Sequence, residues 1–133
     1  MITLIEYLTA IREYAKEIHY HAHGDGFYGI HLLMDRVADG IYETIDKIKE
    51  VCYLGEINDP PRASEMLKVA AAYIPEITEE NADNIGRLSD LVARTLDHIQ
   101  GLKTDQDSPA KSAVLDAIAE DLQLKRGLLW RCK

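Results

Sequence analysis

Two pairs of metal-binding side chains stand out in this chain: His31 with Asp35, and Asp46 with Glu50, each pair four residues apart. That spacing places both members of a pair on one face of a helix. Imidazole and carboxylate ligands with positions left open suit iron, and also zinc or manganese. His19, twelve residues before His31, offers a further nitrogen if the chain turns back between them. Such a set leaves room for water, dioxygen or peroxide. A closed structural zinc site more often uses thiolates, and neither Cys52 nor Cys132 lies in the set. Taken singly, Asp46 and Glu50 read as solvated surface charges and His31 as a hydrogen-bonded structural histidine. The joint spacing is what points to a metal.

The elements that must position these residues are helical throughout. Leu4, Leu8, Ile11, Ala15 and Ile18 recur at helical spacing in a first helix, with Thr3 and Glu6 in a capping-box pattern. A second helix opens after Gly24-Asp25-Gly26. It carries Ile30, Met34, Val37, Ile41, Ile45, Ile48 and Cys52 on one stripe and stops near Gly55. Asn58-Asp59-Pro60-Pro61 breaks the chain. A short helix from Ala63 to about Tyr73 follows, ended by Ile74-Pro75. A third long helix runs from about Thr78 to Gln100, with Gly101 as its stop. The fourth starts at Ser108-Pro109, a cap with proline at the first helical position. The pattern predicts one all-α domain over residues 1–133: a four-helix bundle with a short extra helix between the second and third helices.

On the second helix, taken as continuous, each residue advances about 100°. His31, Asp35, Asp46 and Glu50 then share a face turned away from the core stripe, together with Tyr28, Ala38, Asp39, Tyr42 and Tyr53. Tyrosines mixed with titratable groups suit an interface better than a plain solvated surface. From Asp35 to Asp46 the axis rises by about 16 Å, too far for one ion. Two such helices packed antiparallel about a two-fold axis would bring the His31/Asp35 end of one to the Asp46/Glu50 end of the other.

The chain has 133 residues and a formal charge of −8. That charge repels nucleic acid unless a local basic patch overrides it, and it suits the attraction of cations. No apolar run spans a bilayer and no signal-peptide layout opens the chain, so a cytoplasmic protein is expected. Two cysteines are too few for a disulfide framework and read as free thiols.

The stretch from His19 to Glu50 resembles the ferroxidase signature of the Dps-type miniferritins, the DNA-protecting proteins of starved cells. His19, Tyr20, Gly24, Phe27, His31, Asp35, Asp46 and Glu50 match it without a gap. Weaker likeness continues through Ser64-Glu65-Met66-Leu67 and from Asp107-Ser108-Pro109 to Leu129-Trp130. The resemblance implies a ferritin-like fold in a hollow dodecamer, with a di-iron site between two-fold-related copies. It implies His19, His31 and Asp35 as ligands from one copy and Asp46 and Glu50 from its partner. It also implies oxidation of iron(II) to iron(III) by hydrogen peroxide or dioxygen, with storage of ferric mineral.

This sequence departs from the family in several places. The first helix is expected to begin near Met1, so no lysine-rich tail is expected before it, and Lys125, Arg126, Arg131 and Lys133 form only a short basic end. DNA binding through such a tail is therefore not expected. Tyr20 stands where tryptophan is usual, and Leu32 where many members carry an acidic residue. His21 and His23 read as turn or surface residues, Trp130 as packing, and Asp105 and Asp107 as loop residues that could line a cation pore. Two other readings remain: a DNA-binding shell protein with secondary iron chemistry, and a structural helical bundle that binds little metal.

Overall fold

The computed structural model describes residues 1–105 and 108–132, and every regular element among them is helical. The helices are α1 (Ile2–His21), α2 (Phe27–Ala38), α3 (Ile41–Ile48), α4 (Ala63–Tyr73), α5 (Asn81–Thr104) and α6 (Pro109–Cys132). A π-helical turn (Lys49–Tyr53) and a 3₁₀ turn (Leu54–Glu56) continue α3. None of the described helices is long and apolar enough to cross a membrane.

α1 packs against α2, α3, α4 and α5, while α6 closes the bundle against α5, α2, α3 and the π turn. So many neighbours explain why α1 is buried over a wide arc, from Leu4, Ile5 and Leu8 to Tyr14, Ala15 and Ile18. Met34, Ile48, Ile85, Leu88, Leu115 and Leu129 meet it in one apolar core. Burying each such side chain contributes roughly 1.5–3 kcal/mol. The bundle is thus α1, the α2–α3–π unit, α5 and α6, with the short α4 in the connection and docked on α1. A buried amide fixes the entry to α5. Asn84 accepts from the Thr78 amide at 2.9 Å and the Tyr14 hydroxyl at 3.3 Å, and donates to the Thr78 carbonyl at 2.9 Å.

The second helix is not continuous. It breaks at Asp39 (φ −62, ψ 137) and Gly40 (φ 79, ψ −6), close to the central angles of a type II turn. The apolar stripe nevertheless runs on through the break, since Ile30, Met34, Val37, Ile41, Ile45 and Ile48 are all buried. Other expectations fail locally. α1 starts at Ile2 with no side-chain cap, so Thr3 lies inside the helix and Glu6 is buried rather than capping. α5 passes through Gly101 to Thr104. Trp130, expected to pack, is 68% exposed. Lys125 does not belong to a basic end: it is 4% exposed, inside the bundle. The Ser108-Pro109 start is as expected, with the Lys111 amide donating to Ser108 Oγ at 3.4 Å.

Candidate metal centre

The turn at Gly24-Asp25-Gly26 sends α2 back along α1, and this lays His31 beside His19. Gly24 and Gly26 take φ values of 75 and 77, which glycine adopts without a side-chain penalty. The two imidazoles stack with centroids 3.6 Å apart and planes 17° from parallel. Their outer nitrogens are held reciprocally. His19 Nδ1 lies 2.6 Å from the His31 carbonyl oxygen, and His31 Nδ1 lies 2.9 Å from the His19 carbonyl oxygen. A carbonyl oxygen only accepts, so each Nδ1 carries the hydrogen. In the neutral rings, the Nε2 lone pairs are therefore left for a ligand. Metal-bound histidines are characteristically oriented in this way, through the other ring nitrogen.

Asp35 lies one turn along α2 and is exposed. Its carboxylate pairs with the Lys16 ammonium of α1 at 2.9 Å. The hydrogen bond from Lys16, then its charge, holds the Asp35 carboxyl below the ordinary range. Lys16 is a site residue that sequence reasoning missed. It precedes His19 by three residues on α1, but its pairing across to α2 depends on how the helices dock.

Asp46 and Glu50 occupy α3 and the start of the π turn, exposed on the opposite side of the Asp39–Gly40 break from His31 and Asp35. Neither carboxylate has a hydrogen bond or ion pair among the described residues. Beneath them, Ile48 and Cys52 are buried, and burial pushes the Cys52 thiol up. Within one chain, no three His, Cys, Asp or Glu side chains of the described residues converge to hold an ion. The structure brings His19 and His31 together, sets Asp35 next along α2 in Lys16's grip, and leaves Asp46 and Glu50 on a separate segment.

Aromatic rings surround the imidazoles. Phe27 lies 5.3 Å from the His31 ring, Tyr28 6.5 Å from it, and Tyr20 5.1 Å from the His19 ring. All three are exposed, as are Leu32 and Tyr42. Farther along, the Arg12 guanidinium lies 4.3 Å over the Tyr42 ring, and the Tyr42 hydroxyl donates to Glu13 at 2.7 Å. A groove of about 220 Å³ runs there, lined by Arg12, Lys16, Asp35 and Tyr42. His21 and His23 are exposed, as expected of turn and surface residues. Asp105 is exposed after the end of α5, while Asp107 and Lys133 lie outside the described residues. Cys52 and Cys132 are free thiols. No protein-family model and no curated protein matches the chain.

Proposed function

We propose that this chain is a ferroxidase and iron-storage subunit with a ferritin-like fold of the miniferritin kind. Its iron substrate would bind between two-fold-related copies, with His19, His31 and Asp35 from one and Asp46 and Glu50 from the other. The observation that carries this reading is the reciprocal anchoring of His19 and His31. It leaves two imidazole lone pairs beside a carboxylate, while two further carboxylates stand unpartnered elsewhere on the same chain.

The donor set of nitrogen and oxygen fits iron(II). Two iron(II) ions give up one electron each, and together with two protons these reduce one peroxide to two waters. The protein's share is to hold both ions at once and to let Lys16 release Asp35. Exposed rings at Tyr20, Phe27, Tyr28 and Tyr42 give the surface the aromatic character of an interface core. Storage of the ferric product then calls for a closed, hollow assembly, a dodecamer in the family it resembles.

Two measurements test the reading. A solution mass should exceed that of the 15.0 kDa monomer. Anaerobic iron(II) titration should saturate, and peroxide should then oxidise the bound iron. A monomer with no saturable uptake, or oxidation unchanged in a His31→Ala/Asp46→Ala variant, refutes it.

A further inference from the structure

We propose that Lys125 is a positioning residue that keeps the metal-binding helix broken, by pinning the single peptide plane between Asp39 and Gly40. The inference rests on the proposed function, because that break determines where Asp46 and Glu50 stand relative to His31 and Asp35.

The angles at Asp39 (φ −62, ψ 137) and Gly40 (φ 79, ψ −6) are those of a type II turn. A type I turn follows the same path with its middle peptide flipped. The first central residue then has ψ near about −30° and the second φ near about −90°, which is almost helical. One flip would therefore join α2 to α3 as an unbroken helix.

Nothing in the apolar pattern forbids that alternative. The buried stripe from Ile30 to Ile48 keeps helical spacing across the break. Gly40 accepts either sign of φ, and a Cβ added there meets nothing within 4 Å. Local sequence thus leaves the choice open, and a residue far along the chain decides it.

Lys125 reaches from α6 to make that choice. Its ammonium donates to the Asp39 carbonyl oxygen at 3.2 Å. Asp121, one turn earlier on α6, pairs with the ammonium at 2.8 Å and orients it. The oxygen that Lys125 holds belongs to the peptide that would have to flip. In an unbroken helix the same oxygen would turn along the axis to accept the Glu43 amide. A side chain only 5% exposed would then lose an acceptor that water cannot readily replace.

Amide hydrogen exchange read residue by residue, alongside anaerobic iron(II) titration with the metal alone, tests this on the full chain. Lys125→Met removes the donor. Gly40→Ala leaves Lys125 intact but penalises the positive φ. In both variants the amides of Ile41, Tyr42 and Glu43 should become protected by about tenfold or more, because an unbroken helix gives them carbonyl partners. A merely destabilising substitution would speed exchange there instead of slowing it. Iron(II) affinity should fall by about tenfold to a hundredfold in both, as expected when outer partners that orient ligands are lost.

Unchanged or faster exchange in Gly40→Ala overturns the proposal, and that variant decides the matter if Lys125→Met fails to fold. Faster or unchanged exchange in a folded Lys125→Met also overturns it. Slower exchange with unchanged iron affinity overturns the link to the metal. If the unsubstituted chain takes up no iron, the functional reading falls and takes Lys125's metal role with it, while the exchange data still report on the latch.

Discussion

His19 and His31 are each held at Nδ1 by a main-chain carbonyl of the facing helix, whereas the carboxylates of Asp46 and Glu50 have no partner among the described residues. The imidazole end is assembled within one chain, by the docking of α1 on α2. The carboxylate end waits. The difference follows from chemistry: a neutral ring can be fixed by one backbone bond without being used up, because its second nitrogen stays available. A carboxylate fixed by an internal cation would have to be freed first, as Asp35 would be from Lys16 on the proposed reading. Two unpaired carboxylates are comfortable in water and costly once a second chain covers them, unless a cation arrives too. Metal binding and assembly are therefore expected to depend on each other.

The sharpest way to break the contrast is complementation. Neither a His19→Ala/His31→Ala variant nor an Asp46→Asn/Glu50→Gln variant should oxidise iron by itself. Unfolded together and refolded as a mixture, they should recover about a quarter of the unsubstituted activity. Half the two-fold pairs are then mixed, and each mixed pair has one intact site of two. No recovery would mean that the two ends do not meet between chains.

Next in size is the effect of metal on assembly. The apparent mass at low protein concentration should rise when iron(II) is added anaerobically, and Asp46→Asn/Glu50→Gln should abolish the increase. Sedimentation without and with metal reads this directly.

Lys16→Met should raise the affinity for the first iron several-fold, since the exposed ion pair it removes is a modest competitor. It should also return the Asp35 titration, followed by carboxyl NMR, to the ordinary carboxylate range. In the unsubstituted chain the sign is set by the depressed Asp35 value. The ion pair's contribution is present at and above the ordinary carboxylate range and is lost as pH falls through that depressed value. An unshifted titration in Lys16→Met would remove Lys16 from the site.

The smallest effect concerns the packing under the carboxylates. Cys52 is buried and its thiol raised, while Cys132 is partly exposed. Alkylation of Cys52 should be slower by about tenfold or more. Equal rates would show that the π turn carrying Glu50 opens freely.

Much of this architecture could be read from the residues themselves. Asn58-Asp59-Pro60-Pro61 and Ile74-Pro75 bracket α4, whose limits match the expectation, because proline acts through its own ring and needs no tertiary context. The break at Asp39–Gly40 was not legible. The apolar stripe passes through it in phase, and the bond holding it comes from Lys125, 86 residues away. Gly101 misled in the other direction. An exposed glycine inside a helix costs only about 1 kcal/mol, and packing on either side of it outweighs that. For the candidate centre, spacing singled out His31 with Asp35 and Asp46 with Glu50 as candidates and offered His19 as a further nitrogen, while the five-residue ligand set follows from the resemblance. The Lys16–Asp35 pair and the reciprocal ring-to-carbonyl bonds were out of reach, since both depend on the docking of α1 against α2.

Those ring-to-carbonyl bonds also govern timing. Each imidazole takes its orientation from the backbone of the other helix, so neither is aimed until α1 and α2 have closed on each other. On the proposed ferroxidase reading, a chain emerging from synthesis would carry the same histidines yet grip iron weakly. Iron oxidation would then be confined to chains whose α1 and α2 have already docked.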